Sequence, residues 1–177
     1  GDMLMDKKND NSFFAMLSRM KYIERWALMR NSLRENVSEH SLETAVVAHA
    51  LAIIGNCRLG MDYDIEYIAL LAMYHDCTEI ITGDMPTPVK YYNTEIKDAY
   101  KEIEVNAAKN LLSRLPEDMA LEYEKYLLPK EDASVMKLIK AADKISALIK
   151  CIEEEKTGNR EFNHAKESTF KAIRELE

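Results

Sequence analysis

Two histidines and two aspartates stand at separate places in the chain where a fold could bring them together around a divalent metal. His75 and Asp76 are adjacent, His40 precedes them, and Asp143 follows them. Two imidazoles and two carboxylates suit a mid-series divalent cation that keeps positions open for water and substrate. The mixed nitrogen and oxygen donors, without cysteine, argue against a structural zinc site. The residue types therefore indicate a catalytic metal centre.

Each of these residues, taken alone, has a more ordinary explanation. A histidine on an apolar helix face is usually a packed core residue, and an aspartate in a helix is more often paired with a nearby Lys or Arg. A His-Asp dipeptide also arises by chance. The combination carries more weight, because four metal-binding side chains fall on three predicted helices at positions that should point inward.

Helices must position these side chains, and the composition favours an all-α fold. Gly (5) and Pro (4) are scarce among 177 residues, and no strand alternation or repeat is present. We predict helices at 12–23, 38–56, 64–81, 94–115, 117–128 and 131–158, with a final helix at 161–176. Ser38 and Asp64 are the expected N-caps of the second and third helices. Residues 82–93, with two prolines, form the clearest predicted loop.

Helical periodicity predicts which side chains share a face. The second helix is apolar nearly all round, which is typical of a buried central helix. One side of it carries Leu42, Val46, His49 and Ile53, and the other carries His40, Thr44, Val47, Leu51 and Ile54. His40 and His49 therefore cannot serve one site. The third helix has a stripe of Ile65, Ile68, Ala72, His75, Asp76 and Glu79; the sixth has Ile139, Ala142, Asp143, Ser146 and Ile149.

Length and charge bound the remaining possibilities. A chain of 177 residues is most simply one domain, with residues 1–11 as a flexible N-terminal lead and 12–177 as the folded domain. The net charge is −7 with no basic run, so a nucleic acid polymer is not an expected partner. No apolar run reaches the roughly 18–20 residues that span a bilayer. Three scattered cysteines without a CxxC pair indicate free thiols in the cytoplasm.

Three segments resemble the bacterial HD-domain 5'-deoxynucleotidases, a group within the HD-domain metal-dependent phosphohydrolases. They read "ERWALMRNSLRENVSEHSLETAVVAHAL", "ALLAMYHDCTEIITGDMPTPVKYYN" and "IKAADKISALIKCIEE". The resemblance implies a single-domain, all-helical HD bundle with its metal site between central helices, and a homodimer. It also implies hydrolysis of deoxyribonucleoside 5'-monophosphates with one divalent ion (Co, Mn, Mg or Zn). The implied metal ligands are His40, His75, Asp76 and Asp143.

The same resemblance assigns roles to four further residues. Glu79 and Asp84 become the candidate catalytic acids, one to take a proton from water and the other to protonate the leaving 5'-oxygen. Which of them does which is open, and Glu79 could instead orient a ligating histidine. Arg25 and Trp26 become substrate-binding residues, together with Asp84. The Arg25 guanidinium suits a phosphate, and the Trp26 ring could crowd a 2'-hydroxyl.

Two other interpretations stay open on the sequence. The chain could act on a different phosphorylated substrate, as a nucleoside triphosphohydrolase, a cyclic phosphodiesterase or an enzyme of guanosine tetraphosphate, although one four-ligand set suggests a single metal. It could also be a non-catalytic module that binds metal or nucleotide. In such a module Arg25, Glu79 and Asp84 would have no function.

Overall fold

The computed structural model describes residues 12–90, 92–130 and 132–176, which form a bundle of helices. The α-helices are α1 (Phe13–Leu17), α2 (Val37–Arg58), α3 (Ile65–Tyr74), α4 (Glu79–Thr82), α5 (Thr87–Lys90), α6 (Thr94–Leu112), α7 (Glu117–Leu127), α8 (Ala133–Lys156) and α9 (Asn163–Arg174). Short 3-10 helices, Ser18–Tyr22 and Arg160–Phe162, follow α1 and precede α9. Within the described ranges, β-structure is limited to one bridge between Glu24 and Asn36. The predicted all-α class is confirmed, and the predicted lead 1–11 lies outside the described residues.

α2 is the central helix and packs against α3 and α8 along a face of small side chains. That buried face consists of His40, Ser41, Thr44, Ala45, Ala48, Ala52 and Gly55. The larger Leu42, Val46, His49 and Ile53 are exposed, so the predicted burial of α2 on all sides is wrong. Small residues let neighbouring helix axes approach closely, and this decides which face is covered. The burial of His40 at the start of α2 follows from that packing.

The first turn of α2 is fixed by a capping box. The Asn36 side chain accepts from the Glu39 N–H at 3.0 Å, and the Glu39 carboxylate accepts from the Asn36 N–H at 3.1 Å. Asn36 is therefore the N-cap, and the predicted cap at Ser38 is wrong because Ser38 already lies inside the helix. A cap of this kind stabilises by about 1 kcal/mol and sets where the chain enters α2, one turn before His40.

The predicted helix 64–81 is broken at the position that matters for the site. Asp64 caps its start as predicted, accepting from the Tyr67 N–H at 2.9 Å. α3 ends at Tyr74, however, and helical structure resumes only at Glu79. The His75 ring nitrogen Nδ1 lies 2.6 Å from the Ala72 carbonyl oxygen. In a continuing helix that oxygen would accept from the N–H of residue 76; here it accepts instead from the His75 side chain and, at 3.4 Å, from the His75 backbone N–H.

The apolar core falls into two clusters. One lies between α2, α3 and α8 and includes Ala48, Ile68, Leu71, Ile139 and Ala142. The other gathers residues of α1, α6 and α7 around Phe13 and Leu111. α8 begins at Ala133 with Asp132 as its N-cap, and Ile149, predicted on its inner stripe, is 40% exposed. No helix in the described part of the chain has the length and apolar character needed to cross a membrane.

Two loops, residues 82–93 and 23–36, carry predicted site residues. The predicted loop 82–93 contains one turn of helix, α5, which follows Gly83, whose φ of 73° favours glycine. The other loop, residues 23–36, is fastened to the C-terminal half of α8. There the fully buried Glu154 accepts from the backbone N–H groups of Ser32 and Leu33, at 2.9 and 3.0 Å. The Lys150 ammonium, one turn earlier in α8, bonds to Glu154 and to the Leu33 carbonyl.

Candidate metal centre

His40, His75 and Asp143 come from three separate elements and meet at one place. One ligand atom of each lies within 4.8 Å of the other two. His40 Nε2 is 3.0 Å from Asp143 Oδ1. Asp76 joins them, since its Oδ2 atom lies 3.1 Å from His75 Nε2 and 3.6 Å from His40 Nε2. The four predicted ligands are thus together, which is the geometry that their assignment as ligands requires.

Hydrogen bonds behind each imidazole direct its Nε2 atom toward the carboxylates. The Ala72 carbonyl oxygen can only accept, so His75 Nδ1, 2.6 Å away, carries the ring proton. His40 Nδ1 lies 3.2 Å from the Ser146 hydroxyl, which in turn donates to Glu43 at 3.2 Å. Ser146 therefore accepts from His40 Nδ1. Outer partners of this kind fix the tautomer of a metal-binding histidine and leave the Nε2 lone pair for the ion.

The site requires a positive charge between its donor atoms. With the ring proton on Nδ1, His75 Nε2 is a buried acceptor, and the atom 3.1 Å from it within the described ranges, Asp76 Oδ2, is also an acceptor when ionised. Burial lowers the pKa of His75, but Asp76 and Asp143 outweigh it and raise the pKa to about 9. Such an environment favours a cation at this point. The residues therefore fit a divalent metal.

The two candidate catalytic acids lie beside this cluster. Glu79 begins α4 and is buried, and its Oε2 has no hydrogen-bond partner in the part of the chain that the structure describes. Burial, Asp76 and Asp84 together raise the pKa of Glu79 to about 9. Burial also raises the pKa of Asp84, although Arg25 opposes this. Several carboxyl groups crowd here, and the crowding itself favours a nearby cation.

Arg25 extends its guanidinium to the edge of the cluster. Its Nη1 lies 3.6 Å from Asp76 Oδ2, and its Nε donates to Glu35 Oε2 at 3.1 Å. The side chain is only 11% exposed, so the guanidinium is a fixed charge and not a mobile surface group. Burial lowers the pKa of Arg25, but Asp76 and Glu35 raise it further, so the charge is retained.

Trp26 occupies a strained position next to Arg25. Its φ is 58°, in the left-handed region that costs a non-glycine residue about 1–2 kcal/mol. Three contacts hold it there. The Asp84 carboxylate accepts from its backbone N–H, its indole Nε1 donates to Glu35 at 2.8 Å, and its ring lies 5.3 Å from that of Phe162. Persistent strain of this kind is typical of functional positions.

The four predicted ligands meet at the cluster, and Arg25 lies at its edge. Asp84 bonds to the Trp26 backbone next to Arg25, and Glu79 is buried beside Asp76 with its Oε2 unbonded in the described ranges. His49, by contrast, is on the exposed side of α2.

Sequence reasoning missed Glu35, whose carboxylate contacts both Arg25 and Trp26. No pattern in the sequence indicates that pairing. It arises because Glu24 and Asn36 form a bridge that closes the loop and brings Glu35 opposite Arg25.

The comparison with known proteins supports the same interpretation. The family model for YfbR-like 5'-deoxynucleotidases matches residues 12–177. A 5'-deoxynucleotidase of Vibrio parahaemolyticus is 53% identical over 161 residues, covering 89% of this chain and 81% of that protein. A 5'-deoxynucleotidase of Vibrio cholerae is 48% identical over 167 residues, covering 94% and 86%.

Among solved structures, an HD-domain phosphohydrolase from Listeria innocua superposes with a TM-score of 0.82 at 27% identity. The match covers 93% of this chain and 79% of that one. The resemblance noted in the sequence is thereby confirmed. The chain belongs to the YfbR-like family of 5'-deoxynucleotidases, with an HD-domain phosphohydrolase fold.

Proposed function

We propose that this protein hydrolyses deoxyribonucleoside 5'-monophosphates to the deoxynucleoside and inorganic phosphate, with a divalent metal. The observation that carries the proposal is the buried Arg25, fixed 3.6 Å from Asp76 at the edge of the His/Asp cluster. A metal site and a fixed guanidinium side by side suit a phosphate group, whose oxygens both can contact. Relatives of about 50% identity bear the name 5'-deoxynucleotidase, which supports the substrate class.

Different residues around the cluster would bind the metal, the phosphate and the sugar. His40, His75, Asp76 and Asp143 would hold the metal, and Arg25 would bind phosphate oxygens through its two terminal nitrogens. Trp26 would lie against the sugar, where its rigid ring leaves less room for a 2'-hydroxyl. Asp84, bonded to the Trp26 backbone, would complete the edge of the substrate pocket.

Hydrolysis would require one proton to be removed from the attacking water and one to be given to the leaving 5'-oxygen. His40, His75, Asp76 and Asp143 would hold a divalent cation, which would supply Lewis-acid chemistry to a water and to the phosphoryl group. Glu79 and Asp84 are the candidates for removing a proton from the attacking water and protonating the 5'-oxygen that leaves. Both are carboxyl groups within the same crowded, largely buried region, as that work requires.

A substrate panel tests the proposal directly. Purified protein is incubated with each deoxy- and ribonucleoside 5'-monophosphate and with Mn²⁺, Co²⁺, Mg²⁺ or Zn²⁺, and inorganic phosphate is measured. We expect phosphate release from the deoxynucleotides, faster than from the ribonucleotides, and a smaller ratio of dAMP to AMP turnover in Trp26→Ala. Release of pyrophosphate or triphosphate from triphosphates, without monophosphate turnover, would contradict the proposal, as would binding of dAMP without turnover.

We also propose that residues 12–177 form one HD domain that functions as a homodimer in the cytoplasm. Free thiols at Cys57, Cys77 and Cys151 are in keeping with a reducing compartment. The exposed apolar side chains Leu42 and Val46 of α2, 61% and 63% accessible, offer a surface for a second copy. Light scattering should then give twice the 20.4 kDa mass of the chain; the monomer mass at micromolar concentration would exclude a stable dimer.

A further inference from the structure

We propose that Glu35 is the positioning residue of the substrate site, holding the phosphate-binding Arg25 and the sugar-facing Trp26 with a single carboxylate oxygen. The inference deepens the proposed function and rests on it for the roles of those two partners. The contacts themselves belong to the fold and involve no substrate.

One atom, Glu35 Oε2, accepts both hydrogen bonds. It lies 3.1 Å from Arg25 Nε and 2.8 Å from Trp26 Nε1. Glu35 is only 7% exposed, so these bonds are shielded from water and cannot readily be exchanged for solvent. The bond from Arg25 is also charge-assisted, because its donor is a guanidinium cation. A shorter side chain at this position would not reach both donors, and a neutral amide oxygen would accept from the guanidinium more weakly than the carboxylate does.

The bond between Glu35 and Arg25 uses Nε of the guanidinium and leaves its two terminal nitrogens available for a phosphate. Glu35 takes Nε, and its own backbone carbonyl accepts from the Arg25 N–H at 2.9 Å, so the two residues are joined twice. Nη1 then lies 3.6 Å from Asp76, a proposed metal ligand. Without Glu35, Asp76 would be the nearest remaining carboxylate partner. Glu35 therefore also restrains Arg25 from pairing more closely with a residue that the metal needs.

The bond to Trp26 fixes the plane of the indole. The backbone of Trp26 is held in its left-handed conformation by Asp84 and by its carbonyl, which accepts from Met29 N–H at 2.9 Å. Those backbone bonds leave the side-chain torsions unset. The Phe162 ring packs against the indole with their centroids 5.3 Å apart. The hydrogen bond from Nε1 keeps the nitrogen-bearing edge of the indole toward Glu35. Losing that bond would let the ring move relative to the sugar.

The shared oxygen makes phosphate affinity and sugar selectivity depend on one residue. Glu35→Gln is expected to raise KM for dAMP by about tenfold, because the neutral amide loses the ion pair with Arg25, and a weakening of ~1.4 kcal/mol, equivalent to a factor of ten, lies within the range of hydrogen bonds to charged groups. The preference for dAMP over AMP in kcat/KM should fall with it. Binding of Mn²⁺, measured by calorimetry, should weaken far less than in Asp76→Ala, since Glu35 is not among the proposed ligands and affects Asp76 only through Arg25.

Trp26 provides a readout that needs no substrate, because it is the only tryptophan of the chain. In Glu35→Gln we expect its fluorescence to be quenched more strongly by acrylamide than in the parent protein. The matched control is Glu24→Gln, a carboxylate of the same loop whose side chain is 51% exposed and pairs only loosely with Arg34 at 3.9 Å. This control should keep the parent values of KM, selectivity and quenching.

Each result decides between the proposals. If Glu35→Gln retains the parent KM, selectivity and quenching, Glu35 does not position the site. If the parent protein turns over no deoxynucleotide but quenching rises in Glu35→Gln, the proposed function fails and the positioning role stands.

If Glu35→Gln does not fold, Trp26→Phe replaces it, keeping an aromatic ring without the N–H donor. We expect Trp26→Phe to lose selectivity while KM for dAMP rises less than threefold, because the Arg25 bond is intact. Unchanged selectivity in Trp26→Phe would overturn the role of the Nε1 bond.

Discussion

Asp76→Ala is expected to reduce kcat/KM for dAMP by at least about a hundredfold, because it removes a proposed metal ligand and with it several kcal/mol of charge stabilisation. Asp76 Oδ2 faces His75 Nε2 at 3.1 Å, His40 Nε2 at 3.6 Å and Arg25 Nη1 at 3.6 Å. Although burial raises the pKa of Asp76, His75 outweighs it and the pKa is lowered to about 2. The carboxylate is therefore charged at neutral pH, at the meeting point of the site's nitrogen atoms.

The experiment compares Asp76→Ala with the isosteric Asp76→Asn and with the exposed control Asp98→Ala on α6. Phosphate release and calorimetric affinity for Mn²⁺ are measured for each. Asp76→Asn keeps the shape of the side chain but loses its charge, so both Asp76 variants should lose metal affinity. Asp98→Ala should match the parent protein. Undiminished activity of Asp76→Ala with added Mn²⁺ or Co²⁺ would show that Asp76 is not a ligand.

Local chemistry explains why so much of the site could be predicted from the sequence. His40 and Asp143 are placed by α2 and α8, which follow from composition and periodicity and whose ends lie within a few residues of the prediction, and His75 and Asp76 directly follow α3. The break after Tyr74 was not predictable in the same way. It depends on one side-chain bond, from His75 to the Ala72 carbonyl, that competes with the backbone pattern.

Other features depend on contacts that periodicity does not encode. Apolarity alone assigned Leu42 and Val46 to the core, whereas the packing of α2 selects its small residues. Glu35 meets Arg25 and Trp26 only because a bridge closes the loop between them. Glu154 bonds to Ser32 and Leu33, more than a hundred residues earlier in the chain. The choice of the covered helix face and the partners of the buried carboxylates Glu35 and Glu154 are therefore what the sequence alone left unpredicted.

The second large effect is expected on stability, from Glu154→Ala. Glu154 is fully buried and accepts from Ser32 N–H, Leu33 N–H, Asn159 and the Lys150 ammonium. Its removal leaves the Lys150 charge buried without its carboxylate, which costs about 3–5 kcal/mol. At about 2–4 °C per kcal/mol for a chain of this size, Tm should fall by roughly 6–20 °C.

The neighbouring Glu153 is the matched control, because it lies on the same turn of α8 but is exposed. Glu153→Ala should change Tm by no more than about 2 °C. Calorimetry of the two variants at pH 7 measures the difference. Equal Tm values for Glu153→Ala and Glu154→Ala would mean that the buried pair does not stabilise the attachment of loop 23–36.

The pH dependence of Glu154→Gln separates the charge of Glu154 from its shape. Burial would raise the pKa of Glu154, but hydrogen bonds from Lys150, Leu33, Asn159 and Ser32 outweigh it and hold the pKa well below its usual range. A carboxyl whose pKa is lower in the folded than in the unfolded state contributes its full stability above the unfolded pKa, about 4.3. That contribution is lost as the pH falls toward the folded pKa.

The Tm gap between the parent protein and Glu154→Gln should therefore be constant above about pH 5 and narrow below about pH 4. A gap that widens on acidification would contradict this assignment, since it would require the pKa of Glu154 to be higher in the folded than in the unfolded protein.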